Sequence, residues 1–464
     1  MGRAREYRQR LKYTVSSARQ KTLEQQLEVQ LTAELGMSLV EARLLAGRLS
    51  PWILTRPELL GPNQIAFDEA VAGRESFSRG PTPVTRTIKL TPFDLEDLEL
   101  EEEFGLPALQ LGRVLRLVEE ADRQDALLSA RQLTLLCNIA PSSLRRRLQR
   151  VRRLGIWVPV RGLGQLERDQ GGLYRSTWVL SAYLQGKAVE ALRRQGAIAR
   201  ARLGELVRQF LTLAQRLGEG EAGPENSEQW QWAALVKACP PERLAALAAG
   251  RLAGGNGACD WVAFSRQLQA DFALSPARLQ AITELVAEVT SSLGSDRVPG
   301  QVIYWAVAAD EPAGKPLSSC RLVPVRLLYW DRSDDPDRSG NRDANRVQDL
   351  KLARIQRFAQ AAKEAGAYLS YADLSYLLGI HTAALSRMVR EHQPGSVPLR
   401  GSECDIGRGI THRARVIELY LEMHTETEIV ARTGHSYESI ENYLRDFATV
   451  LVLSERGLTP TMIR

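Results

Sequence analysis

The chain of 464 residues repeats itself. A shift of 237 places Tyr420 on Tyr183, Leu421 on Leu184, Ile429 on Leu192, Ile440 on Leu203 and Phe447 on Phe210, so that 173–217 reads as a worn copy of the C-terminal region. Upstream, LLSARQLTLLCNI (127–139) matches YLSYADLSYLLGI (368–380) at a shift of 241, and VPVRG (158–162) matches VPLRG (397–401) at 239. Further back, QLTAELGMS (30–38) matches QLQADFALS (267–275) at 237, and Pro62-Asn63-Gln64-Ile65 answers Pro299-Gly300-Gln301-Val302. Any two helical segments share apolar spacing, but ordered matches with slowly drifting shifts over this length indicate a tandem duplication. The fold must then be one that a composite unit of about 200 residues can build twice. The organisation this predicts is a basic arm (1–21), a first repeat (22–217), a linker region (218–258), a second repeat (259–453) and a tail (454–464).

Within each repeat the periodicity changes in a fixed order. Thr22 to Leu49 reads as one or two helices, with Leu23, Leu27, Leu31, Leu35, Leu39, Leu44 and Leu45 on the buried side and Pro51 and Pro57 as breaks. Gln64 to Ala72 and Val84 to Pro92 alternate as two short strands, and Val302 to Ala309 with Cys320 to Trp330 repeat them with denser β-branched and aromatic residues. A β-hairpin is expected in each half, and the class is mainly α with small β-hairpins (α+β). The acidic run Asp94, Glu96, Asp97, Glu99, Glu101, Glu102 and Glu103 reads as a solvated linker, Asp331 to Arg346 as a loop, and Gly218 to Glu228 as the joint between halves.

Next comes the candidate for nucleic-acid binding. Ser129 to Leu136 reads as a supporting helix, Asn138-Ile139-Ala140 as a turn, and Pro141 as the first residue of a new helix. In that helix, PSSLRRRLQRVRRLG, the residues Leu144, Leu148 and Val151 mark a buried face. Ser142, Ser143, Arg145, Arg146, Arg147, Arg150, Arg152 and Arg153 occupy the rest. Six arginines with no acid among them repel one another unless a polyanion is near. The strand that follows carries Arg161 at its tip, which gives the order of a winged helix-turn-helix over 127–162. The counterpart over 368–401 keeps Leu385 and Val389 in its helix but offers only Arg387, Arg390 and the tip residue Arg400, so the halves are not expected to bind equally.

A further helix-turn-helix is expected over 411–447, with Val416, Ile417, Leu419, Tyr420 and Leu421 buried in its first helix, Ile429, Val430 and Ala431 in its second, and Thr433-Gly434-His435 as the turn. Ser436 caps the third helix. That helix buries Ile440, Tyr443, Leu444 and Phe447, while His435, Ser436, Tyr437, Ser439, Asn442 and Arg445 stand as contacts to DNA. Glu438, Glu441 and Asp446 oppose the approach of phosphate.

Residues 397–447 resemble the family catalogued as domain of unknown function 1670. VPLRG carries the likeness, with Asp405-Ile406-Gly407-Arg408-Gly409, Thr411-His412, Glu428-Ile429, His435-Ser436, Tyr443 and Phe447. The first half departs from it: Gln170-Gly171-Gly172 stands where the glycine loop belongs, and no histidine answers His412 or His435. The resemblance implies a helix-turn-helix protein of prokaryotes, in some cases on mobile elements, with Arg408 in its glycine loop, and implies nothing about chemistry.

Other classes find little support. The hydrophobic content of 44% and charged content of 25% are those of an ordinary globular chain, and the net charge of +6 equals the excess in the arm, where seven basic residues up to Lys21 face Glu6 alone. Such an arm is either a frayed end or a strap along phosphates. Cys137, Cys239, Cys259, Cys320 and Cys404 form no C-x-x-C pair, which with the lack of a signal-like or membrane-length apolar run predicts a reduced, cytoplasmic protein. His381, His392, His412, His424 and His435 have no zinc-like spacing, so neither a metal nor another cofactor is expected. The expected function is sequence-specific binding of double-stranded DNA, as a transcriptional regulator whose single chain can act as a pseudo-dimer. A replication initiator or transposition accessory protein is the alternative within DNA binding, and a protein-protein adaptor the alternative outside it.

Overall fold

A β-hairpin lies in each half, and around it one order of elements runs twice. In the first half α1 (Gly2–Arg19), α2 (Leu23–Leu35) and α3 (Leu39–Leu54) precede β1 (Ile65–Ala72) and β2 (Thr85–Leu90). There follow α4 (Leu95–Phe104), α5 (Leu106–Arg123), β3 (Ala126–Leu127), α6 (Ala130–Leu136), α7 (Pro141–Arg152), α8 (Arg175–Leu184), α9 (Val189–Gly196) and α10 (Arg200–Gly218). After α11 (Ser227–Ala238), the second half has α12 (Trp261–Asp271), α13 (Pro276–Leu293), β4 (Gln301–Ala308), β5 (Leu322–Leu328), α14 (Arg346–Glu364), β6 (Ala367–Tyr368), α15 (Tyr371–Leu378) and α16 (Thr382–His392). A single turn α17 (Arg400–Glu403) leads to α18 (Ile410–Leu421), α19 (Glu426–Thr433) and α20 (Tyr437–Glu455). The computed structural model describes residues 2–54, 60–72, 85–161, 172–219, 223–240, 244, 261–293, 297–312, 315–335, 346–392, 397–403, 410–433 and 437–459. The chain is mainly helical with small antiparallel sheets.

The two sheets have one connectivity, β2-β1-β3 and β5-β4-β6, with the short third strand pairing beside the first. Ile65 opposes Leu90 and Val71 opposes Leu127 in one; Gln301 opposes Leu328 and Val307 opposes Tyr368 in the other. Side chains alternate between the faces of a strand. In β4 both faces are covered: Val302, Tyr304 and Ala306 enter the main core, while Ile303, Trp305 and Val307 enter a second core built from α2, α3, α12 and α13. Burial on two sides explains why β4 is so rich in aromatic and β-branched residues, whereas β5 keeps Pro324 and Arg326 exposed. The main core itself takes Ile65, Phe67 and Ile88 from the first sheet and Val325 and Leu327 from the second, so the halves share it.

The halves also exchange backbone bonds. Gly300 N donates to Ala66 O at 2.9 Å, and Ile303 N to Pro62 O at 2.8 Å. Gly300 sits at φ +87°, and a Cβ there would lie 1.9 Å from Trp330 O, so only glycine fits. A second meeting joins the C-terminal ends of α6 and α15. Arg113 of α5 donates from Nη1 to Leu377 O at 3.0 Å and from Nη2 to Tyr376 O at 2.5 Å. Arg354 of α14 donates from Nη1 to Leu135 O at 2.7 Å and to Asn138 Oδ1 at 2.9 Å. Each arginine thus serves the orphan carbonyls and negative dipole end of the opposite half's helix. Each is held in turn by a carboxylate, Asp97 for Arg113 and Asp334 for Arg354. Both of these carboxylates also close a capping box, with Asp94 and Asp331 as N-caps.

Several sequence expectations need correction. Pro51 does not end its helix but lies inside α3, because burial of Leu49 and Ile53 on either side holds the turn despite the lost hydrogen bond. Leu39 and Leu44 are exposed rather than buried, and Pro57 lies outside the described residues. The acidic run is no solvated linker: it is α4, with Asp97 and Glu101 buried and Glu99 and Glu103 gripping Arg193 of α9. The arm is neither frayed nor extended but the helix α1, which buries Leu11, Val15 and Ala18 in the main core. Its last cation, Lys21, makes a buried ion pair with Asp373 at 2.6 Å, to which Tyr304 also donates at 2.7 Å. The joint between halves gives way at Ser227 to α11, which lays Trp232 against Phe210.

Candidate nucleic-acid interface

Helix α6 starts in a capping box in which Ser129 accepts from Gln132 N and the Gln132 side chain accepts from Ser129 N. It ends at Leu136, and Asn138 in the following turn, at φ 54°, lets the chain reverse over four residues into α7. Asn138 is buried and donates from Nδ2 to Leu378 O at 3.1 Å, so the turn of one half is bonded to the helix end of the other. Pro141 opens α7, and Leu144, Leu148 and Val151 are buried beneath it, as the spacing predicted.

The six arginines of this region divide by partner. Arg147 donates from Nη2 to Gln110 Oε1 at 2.6 Å and from Nη1 to Pro107 O at 3.3 Å, which ties α7 to α5. Burial, and then the charge of Arg146, draw Arg147 below its ordinary pKa. Arg152 is turned back to Val158 O at 3.0 Å. Arg145, Arg146, Arg150 and Arg153 are exposed and carry no ion pair among the described residues. Ser142 is exposed and Ser143 half-buried at the start of the same helix. Here the sequence places a cationic face on a helix whose other face is fixed in the core.

Beyond α7 the chain returns as Ile156 to Arg161, where Arg161 N donates to Leu128 O at 2.9 Å and Ala130 N to Arg161 O at 3.2 Å. The isolated bridges Ser129 to Arg161 and Ile156 to Leu173 are parallel. The strand expected over 156–162 is not formed among the described residues, where Ile156 and Arg161 make only these isolated bridges, and Gly162 lies outside the described residues. Arg161 is half-buried at the edge of that stretch.

The second half repeats the plan with less charge. Ser370 and Asp373 cap α15, Gly379 at φ +62° makes the turn, and Leu385 and Val389 anchor α16. Arg387 and Arg390 are exposed. The entrance to this helix is covered by α1, since Tyr7 stacks on His381 with ring centroids 4.6 Å apart. Burial, and then the nearby Arg10, lower the pKa of His381. Arg400 cannot act as an exposed tip: it is buried at 9% exposure and lies 3.5 Å from Pro312 O, which it reaches through Nη2.

The C-terminal unit is a three-helix cluster in which Val416, Leu419, Ile429 and Ile440 are buried. The expectation fails for Tyr420 and Leu421, which are exposed by 47% and 62%, and for Ala431, also exposed. Of the residues expected to read bases, Asn442 is exposed, Ser439 is half-buried, Tyr437 donates to Thr427 Oγ1 at 3.2 Å and Arg445 to Glu441 at 2.8 Å. Arg408, His435 and Ser436 lie outside the described residues. From Val416 to Thr459 there are eight acids against three arginines. The structure therefore brings the α7 cations together and leaves the C-terminal candidates in an acidic setting.

Catalytic geometry is sparse. Among the described residues no group of three or more His, Cys, Asp or Glu side chains is placed to hold a metal ion. Cys137 is buried with its thiol pushed up to about 12 by desolvation, which keeps it a neutral core residue. No described helix is long and apolar enough to cross a membrane.

A family model described as a protein of unknown function (DUF1670) matches residues 64–210 and again 268–464. No curated protein and no solved structure matches the chain.

Proposed function

The chain belongs to the DUF1670 family, whose model it meets twice, and from that premise we propose that it is a tandemly duplicated, sequence-specific double-stranded DNA-binding protein that acts as a transcriptional regulator. In this reading α6 and α7 form a helix-turn-helix reader, and α15 and α16 a weaker second one. The observation that carries it is the exposed, unpaired set Arg145, Arg146, Arg150 and Arg153 on a helix whose opposite face is locked by Leu144, Leu148 and Val151. Cations so held attract phosphate without losing much side-chain anchorage, and they release counterions on binding. The same reading makes α16, with two exposed arginines and a covered entrance, the accessory contact.

Changing Arg145, Arg146 and Arg150 together to Ala tests it on duplexes selected from a random pool. Affinity is expected to fall, and the slope of log K against log salt to flatten by about 0.9 for each phosphate that is no longer neutralised. A folded triple variant that binds with unchanged affinity and slope overturns the reading, as does a selection that recovers no sequence.

A further inference from the structure

Helices α8, α9 and α10 form a three-helix unit of the same order as α18, α19 and α20, but the two are finished differently. In the first, α11 lies across α8 and α10: Trp232 is buried, its ring meets Phe210 edge-on at 6.4 Å, and its Nε1 donates to Ser176 Oγ at 3.3 Å. Tyr183, Leu184, Phe210 and Leu213 belong to the same apolar cluster as Trp232. At a shift of 237 those four positions are Tyr420, Leu421, Phe447 and Val450, so the aromatic and aliphatic pattern of the cluster that α11 completes is kept in the second unit. There, among the described residues, nothing covers it: Tyr420, Leu421, Val450 and Leu451 are 47%, 62%, 47% and 48% exposed. Several large apolar side chains left exposed on two packed helices mark a place of association.

Charge says what kind of partner. The first unit is basic from Val179 to Glu219, with seven cations against three acids, whereas Val416 to Thr459 has eight acids against three. The exposed carboxylates Glu418 and Glu455 lie on the same two helices as the open face, and the exposed Glu422 follows directly on α18. A phosphate backbone is repelled by this surface, and a helix flanked by lysine or arginine is attracted to it.

We propose that the face of α18 and α20 around Tyr420, Leu421, Phe447 and Val450 docks an amphipathic helix of a partner protein, with an aromatic anchor in its apolar stripe and basic residues beside it. The mode is a helix laid in an apolar groove, as α11 lies on the first unit. Duplicated cores on one chain thus serve different partners: the first unit is closed by its own helix, and the second is left open.

The test uses the full chain and a stapled, fluorescent peptide copying residues 226–239, together with a version in which Glu228 and Gln229 are replaced by Lys. The first unit is already filled by α11, so added peptide reports on the second. The basic peptide is expected to bind saturably, about tenfold tighter than the parent, with an affinity that falls as salt rises. Leu421→Asp with Val450→Asp is expected to abolish that binding while the circular dichroism and thermal transition stay as in the parent protein, since both side chains are exposed. Failure of both peptides to saturate overturns the proposal, as does binding that survives the double substitution. A chain that dimerises through the same two residues gives the face to a second copy instead, and loss of sequence-specific DNA binding in the double variant gives it to DNA; either result overturns the partner helix while leaving the α7 test to decide the DNA reading by itself.

Discussion

At the scale of single residues the fold depends on carboxylates that face arginine or lysine away from water. Asp97 accepts from Arg113 Nε at 2.7 Å and from Arg116 at 2.7 and 3.0 Å, besides closing its own capping box. Burial alone would raise its pKa, but the Arg116 and Arg113 charges outweigh it and hold Asp97 below the usual carboxylate range. Removing one member of such a group leaves uncompensated buried charge, so Asp97→Ala is expected to cost about 3–5 kcal/mol of unfolding free energy, read from denaturant midpoints. Glu102→Ala, on the exposed side of the same helix, is expected to leave the midpoint in place. Asp373 is a parallel case: burial opposes its charge, and Lys21 and Tyr304 prevail and lower its pKa. A carboxylate with a depressed folded-state pKa contributes stability that is complete above its unfolded value, near 3.9, and is lost as pH falls through the folded value. The stability difference between the parent and Asp373→Asn is therefore expected to be constant near neutrality and to shrink below about pH 4. A difference that grows in acid would mean that Asp373 is not charged in the native state.

At the scale of elements, what could be read from the sequence depended on whether an element's partner was local. The buried face of α7 was legible because Leu144, Leu148 and Val151 report a 3.6-residue period within twelve residues. The two hairpins were legible for the same reason at period two. The true role of α4 was not, since its acids look solvated in isolation and the arginines that take them stand at 113, 116 and 193. One signal was available: Asp94-x-x-Asp97 has the spacing of a capping box ahead of Leu98 and Leu100. Within α7 the period located the arginines but could not tell Arg147, spent on Gln110 and Pro107 O, from Arg146, which is open. This division is why the DNA test substitutes Arg145, Arg146 and Arg150 and leaves Arg147 alone. A loss on Arg147→Ala would mix altered packing of α7 on α5 with altered contact to phosphate. Tyr420 and Leu421 have the spacing of core residues yet are exposed, whereas Tyr183 and Leu184, at the matching positions, are half-buried against a cluster that includes Trp232 of α11.

For the whole molecule, duplication suggested two halves that fold alike and come apart near the joint, and the packing points elsewhere. One core holds Phe67, Leu115 and Leu136 with Tyr304, Phe358 and Leu377, and a second joins Leu27, Leu45 and Leu49 to Phe264, Ile282 and Trp305. Polar bonds cross the same boundary under cover: Lys21 to Asp373, Arg113 to the end of α15, Arg354 to the end of α6 and Asn138 to Leu378 O. The spacing of α7 and α16 is thus set by a buried contact and not by a tether. Residues 1–217 expressed alone would expose half of each core and leave Lys21 and Arg113 without their acceptors in the other half, penalties that a small surplus of stability does not cover. That fragment is expected to lack a cooperative thermal transition, whereas the full chain shows one and co-expression with 218–464 restores it. A sharp, independent transition of 1–217 would show instead that its part of the shared core is sufficient, and that the contacts between halves only position the two candidate readers.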